Sequence, residues 1–168
     1  MKWKRYLTGL AGLILLLGFD RLTKSLAVTH LKGQAAIPVI KNVFELQYLE
    51  NHGAAFGLLQ NQRWLLLGFT VLILGLLAFF YRKLPFSNRY LPLRLTGIFI
   101  GAGALGNMAD RLFQGYVVDF LYFRLIDFPI FNVADCYVVV AAFLAFFLIG
   151  FYYKDEDFAF IKEKRTHG

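Results

Sequence analysis

Residues 64–81 read WLLLGFTVLILGLLAFFY, eighteen positions without a single charge. At about 1.5 Å of helical rise per residue such a run spans roughly 27 Å, close to the hydrocarbon thickness of a bilayer. A soluble core helix alternates apolar and polar faces, and this run has no polar face. It predicts a membrane-spanning helix, and the rest of the chain is read outward from it. Upstream, Tyr6 to Val28 is apolar apart from Asp20, Arg21 and Lys24. Downstream, residues 91–109 carry Arg94 near their start, and residues 131–153 carry Asp135 near theirs. Four spans are therefore expected, at about 6–28, 64–81, 91–109 and 131–153, within a single membrane domain covering residues 1–168.

The composition agrees. Hydrophobic residues make up 58% of the 168 positions and charged ones 17%, against roughly 45–50% and 25% in soluble domains. A net charge of +7 would suggest nucleic acid in a soluble protein. Here the basic residues sit in short segments between apolar runs, which argues for contact with anionic lipid and against a nucleic-acid partner. The start of the chain, with Lys2, Lys4 and Arg5 before an apolar run from Leu7 to Phe19, resembles a cleavable leader. No small-x-small site follows, so the run is read as a retained first helix. Cys136 is the sole cysteine, which leaves no disulfide within the chain and no thiolate metal site; His30, His52 and His167 lie far apart, so neither a metal nor another cofactor is expected.

Orientation follows from charge. Lys2, Lys4 and Arg5, then Arg82, Lys83 and Arg89, then Lys154, Lys162, Lys164 and Arg165 mark three basic segments. The positive-inside rule places both termini and the 82–90 connection in the cytoplasm, and segments 29–63 and 110–130 outside. Within those outer segments, residues 43–50 alternate with period two, and residues 116–123 are rich in β-branched and aromatic side chains. Two short strands are expected, able to pair into a small sheet on the outer leaflet. The fold class expected is a mainly α four-transmembrane-helix bundle with that sheet.

The acids share a depth. Arg5 to Asp20, Arg94 to Asp110, and Lys154 back to Asp135 correspond to roughly 22, 24 and 28 Å of helix. All three aspartates then fall near the outer boundary of the core, and Asp119 can reach the same level. A carboxylate inside a span costs at least about 2.5–3.5 kcal/mol, so each needs a reason. Asp20 and Lys24 stand in the favourable i,i+4 order for an ion pair. Asp110 has Arg111 beside it and Asn107 one turn back, which points to an ion pair or a polar cluster. Asn132 and Asp135 have the spacing of a capping box, and capping alone would explain them. Asp119 lies among Val117, Val118 and Phe120 with no basic neighbour, where a carboxyl tends to stay neutral. Two carboxylates sharing one proton can activate a water, the charged one as base and the neutral one as acid. Asp119 and Asp135 suit those roles, with the helix N-terminus favouring charge on Asp135. Gly97, Gly101, Gly103 and Gly106 form a small-residue face suited to close helix packing.

Four blocks, in order, resemble the lipoprotein signal peptidases (signal peptidase II). They are Asp20-Arg21-Leu22-Thr23-Lys24; Asn51-His52-Gly53-Ala54-Ala55-Phe56-Gly57; Gly103 through Asn107 to Asp110-Arg111; and Val117-Val118-Asp119-Phe120 with Phe131-Asn132-Val133-Ala134-Asp135. The resemblance implies an intramembrane aspartic endopeptidase of the bacterial cytoplasmic (inner) membrane, with its active site near the outer face. It implies cleavage of diacylglyceryl-modified prolipoproteins just before the lipidated cysteine. By the same match, Asp119 and Asp135 would be the catalytic dyad. Asn51, Gly53, Asn107, Arg111 and Asn132 would bind substrate or support the site, and Asp20, Lys24 and Asp110 would hold the structure. Lipidated prolipoproteins, membrane lipids and globomycin-type inhibitors are the partners implied. Two rivals are a proton-coupled transporter, which predicts acids near the midplane and an internal repeat, and a non-catalytic adaptor, which leaves Asp119 unexplained.

Overall fold

The computed structural model describes residues 2–54 and 57–159, with the side chains of Lys2, Lys4 and Arg5 left out. Ala55 and Phe56 of the second block, and the tail residues Lys162, Lys164, Arg165 and His167, lie outside the described residues. Four helices carry the fold: α1 (Lys2–Leu31), α2 (Arg63–Lys83), α3 (Leu91–Phe113) and α4 (Val133–Phe147), the last extended by a π-helical turn at Leu148–Tyr152. Three strands, β1 (Ile37–Ile40), β2 (Phe44–Asn51) and β3 (Val117–Tyr122), form an antiparallel sheet in the order β1-β2-β3.

By length and composition, Tyr6–Leu31, Arg63–Lys83 and Val133–Tyr152 can cross a membrane. Their large side chains face outward: Phe143 is 72% exposed and Phe146 70%. In water that surface would be untenable, and in lipid it is the expected one. The central helix is α3, which packs against α1, α2 and α4. It is long enough to span, yet it carries Arg94, Asn107, Asp110 and Arg111. Surrounded by protein, it can afford fewer apolar residues. Its glycines set the approach of its neighbours. A Cβ on Gly103 would lie 2.5 Å from the Ala134 carbonyl oxygen of α4, and one on Gly106 would lie 2.7 Å from Asp20 Oδ2 of α1.

The sheet caps one end of the bundle. Val118 and Phe120 of β3 bury against Ala27 and Leu31 at the end of α1, with Leu46, Tyr48 and Val133 around them. Past β3 the chain returns to the sheet, where Leu121 and Phe131 exchange backbone hydrogen bonds of 2.8 and 3.0 Å. Asn132 then opens α4, so the sheet delivers Asp119 and the helix delivers Asp135 from adjoining backbone. The two strands expected from sequence pair with each other; β1 is an additional edge strand.

Candidate active site

Asn132 is the hinge of the site. It caps α4 with a full capping box: its Oδ1 accepts from Asp135 N at 3.1 Å, and its own N donates to Asp135 Oδ2 at 3.0 Å. Its amide nitrogen still has two protons to give. One goes to Asp119 Oδ1 at 2.6 Å and the other to Asn107 Oδ1 at 3.1 Å. One fully buried residue therefore holds both Asp119 and Asp135. The capping that alone could have explained Asp135 is real, and it leaves Oδ1 of that carboxylate for Asn107, whose Nδ2 donates at 2.8 Å.

Asp119 is 2% exposed. Its second oxygen accepts from Asn51 Nδ2 at 2.9 Å, from the last residue of β2. Both amide donors favour the ionised carboxylate. Burial opposes them, and the charge of Asp135 adds to it; the Asp119 carboxyl is pushed up to about 7. Asp135 keeps partial exposure. The pair thus has one buried member that holds a proton near neutral pH and one wetter member in the field of a helix N-terminus.

Below the carboxylates lies a cationic support. The Lys24 ammonium, 1% exposed, meets three oxygens: Asp20 Oδ2 at 3.0 Å, Asp110 Oδ2 at 2.9 Å and Asn107 Oδ1 at 3.0 Å. Asp20 Oδ1 also accepts from Ala134 N at 3.0 Å, tying α1 to the start of α4. Asn107 has both lone pairs and its amide committed, so its orientation is fixed from three sides. Asp110 pairs with Arg21 Nη1 at 3.0 Å as well as with Lys24. Its sequence neighbour Arg111 turns elsewhere and donates to the Gly53 carbonyl at 2.7 Å. Gly53 N in turn donates to Asn51 Oδ1 at 2.9 Å. This fixes the Asn51 amide so that its nitrogen faces Asp119.

All ten residues singled out from sequence thus meet in one hydrogen-bonded network: Asp20, Lys24, Asn51, Gly53, Asn107, Asp110, Arg111, Asp119, Asn132 and Asp135. Arg21 belongs to it too. It stands in the first block, and no local spacing points to its partner, Asp110, 89 positions away. Gly103 and Gly106 also belong, because their missing side chains let α4 and Asp20 approach α3.

Comparison with known proteins identifies the family. The family model for signal peptidase (SPase) II matches residues 12–151. A lipoprotein signal peptidase of Clostridioides difficile (strain 630) is 43% identical over 142 residues, covering 83% of this chain and 93% of the relative. One from Streptococcus pyogenes serotype M6 is 38% identical over 146 residues, covering 87% and 93%. One from Halothermothrix orenii is 44% identical over 125 residues, covering 74% and 83%. A solved structure described as a bacterial membrane enzyme, determined in meso at 2.3 Å resolution, superposes with a TM-score of 0.75 at 28% identity, covering 96% of this chain and 94% of the other. On the matched span, the fold and the relatives together, the chain belongs to the signal peptidase II family.

Proposed function

We propose that this peptidase is an aspartic endopeptidase that removes the signal peptide from diacylglyceryl-modified prolipoproteins, cutting before the lipidated cysteine. The observation that carries the reading is the sharing of Asn132 by Asp119 and Asp135, one carboxyl buried and raised in pKa, the other half-open. A water held between them loses a proton to Asp135 as it attacks the scissile carbonyl carbon. Asp119 donates its proton to the carbonyl oxygen as that oxygen gains charge. Collapse of the tetrahedral intermediate returns a proton to Asp119, and Asp135 protonates the departing amine. Both products leave with the dyad in its starting state.

Arg111 and Asn51 serve this reaction by holding the segment after β2 against the dyad through Gly53. With the basic ends of the bundle in the cytoplasm, residues 29–63 and 110–130 face outside, and the dyad lies where a lipidated peptide can enter sideways from the bilayer and meet water. The test is cleavage of a lipidated prolipoprotein by purified enzyme and by Asp119→Asn and Asp135→Asn. The parent should cut, and each variant should fold and lose essentially all activity. Cleavage surviving both substitutions overturns the dyad.

A further inference from the structure

The sheet that delivers Asp119 has a second face. In the β2–β3 ladder Leu49 stands opposite Asp119, Glu50 opposite Val118 and Asn51 opposite Val117. Successive side chains of a strand point to opposite faces. Asn51 and Asp119 therefore share the face of the dyad, while Tyr48 and Glu50 share the back. That back face rests on the end of α1, where Tyr48, Tyr116 and Val118 pack with Ala27 and Leu31. Lys32, the first residue beyond α1, donates there to Glu50 Oε1 at 2.7 Å. The Tyr48 hydroxyl donates to the same oxygen at 3.0 Å, and the Lys32 ammonium lies 5.6 Å from the centre of the Tyr48 ring. The Tyr116 side chain adds to the hold on that carboxylate and sets its ring 5.5 Å from that of His52. Glu50 and His52, the residues on either side of Asn51, are thus both engaged behind the sheet.

We infer that Glu50, gripped by Lys32, Tyr48 and Tyr116, is a positioning residue that holds Asn51 against Asp119 from behind the sheet. The geometry stands by itself, and its effect on catalysis rests on the Asp119–Asp135 dyad. Asn51 is the last residue of β2, so the ladder supports it from one side only, and element ends are where a fold opens first. Its donation to Asp119 at 2.9 Å needs that backbone to stay in place. Arg111 secures the chain after Asn51, through Gly53. The clasp on Glu50 secures the residue before it and ties it to α1, the helix that also carries Lys24. Lys32 is 53% exposed and Glu50 32%, and an ion pair so exposed adds little to global stability. What it fixes is the register of one strand end.

Cleavage of a lipidated prolipoprotein by the full-length parent, Glu50→Ala and Glu50→Gln, followed across pH, tests this. Glu50→Ala should keep the parent's melting temperature and lower kcat about ten-fold with KM little changed, the cost of a loosened catalytic geometry. Its basic limb of kcat/KM should move up by about half a pH unit, because the Asn51 donor favours ionised Asp119 and its loss lets the proton stay. Loss of the Glu50 charge by itself predicts the opposite sign, since removing a nearby negative charge favours ionisation. Asp135 of α4, Lys24 of α1 and Arg111 of α3 are charges that act on Asp119, and all stay in place. Lys32 and Tyr48 hold the Glu50 carboxyl below its usual range, so that limb is not its own. Glu50→Gln keeps an oxygen for Lys32 and Tyr48 and should stay close to the parent, with no upward shift. An unmoved or downward limb in Glu50→Ala, a Glu50→Ala that melts early, or a Glu50→Gln as slow as Glu50→Ala would overturn the clasp while leaving an inactive Asp119→Asn to support the dyad. An active Asp119→Asn would remove the dyad instead. The clasp is then read without cleavage, from the Asn51 side-chain amide resonances of isotope-labelled protein. Averaging of those signals in Glu50→Ala supports it, and signals as fixed as in the parent overturn it.

Discussion

The chemistry rests on what burial does to single groups. Asp119 has its carboxyl raised from 3.8 to about 7 by burial and by Asp135. If it must donate a proton, the cleavage rate should fall as pH rises through about 7, and a pH profile of kcat/KM checks this. Stability has a sign of its own. Between about pH 4 and 7 the folded protein keeps a proton on Asp119 that the unfolded chain has released, so stability declines across that window and is level above it. Thermal unfolding in detergent at pH 5 and pH 8 should show the decline, and Asp119→Asn should flatten it. Lys24 offers a second test. Replacing it with Met takes from Asp20 its ion-pair partner and leaves Asp110 with Arg21 alone, both acids being 2% exposed, and removing one partner from a buried ion pair costs about 3–5 kcal/mol. Denaturation of Lys24→Met should show that loss, and adding Asp20→Asn should restore part of it.

Among the elements, glycine means different things in α2 and α3. A Cβ on Gly103 meets the Ala134 backbone, which has no rotamer to yield, so Gly103→Ala should cost about 1–3 kcal/mol by overpacking and should move the start of α4 away from Asn107. A Cβ on Gly68 meets nothing within 4 Å, so Gly68→Ala should instead stabilise α2 by about 0.5–1 kcal/mol. Unfolding midpoints of the two variants, shifting in opposite directions, check both. The helices were legible in the sequence because long, predominantly apolar runs with few charges must satisfy their own backbone in lipid, which a helix does. Strands β2 and β3 were legible by alternation and β-branching. The edge strand Ile37–Ile40 was not: it is four residues long, contains Pro38, and is exposed along its whole length, so it has no buried face to impose a period. Site membership was legible in the motif blocks, whereas atom-to-atom pairing was not. Asp110 and Arg111 are adjacent in sequence but point to different faces of α3, as neighbouring residues on a helix must. Their partners lie in α1 and after β2, and no local spacing encodes them.

For the molecule as a whole, the polarity of the bundle is testable. Ser87 and Gln34 are both exposed and lie in connections at opposite ends. In intact spheroplasts a membrane-impermeant maleimide should label Gln34→Cys and leave Ser87→Cys unlabelled, with the parent and its native Cys136 as baseline. The opposite pattern would reverse the orientation and place the dyad on the cytoplasmic side. The Lys24 junction also bears on how the chain is made. Helix α1 emerges before α3, and its cluster Asp20, Arg21 and Lys24 carries one positive charge in excess. Helix α3 follows with Asp110, whose partners are that same Arg21 and Lys24. The countercharge is already in the membrane when the acid leaves the ribosome, so vectorial synthesis ensures that Asp110 never has to wait in lipid for its partners.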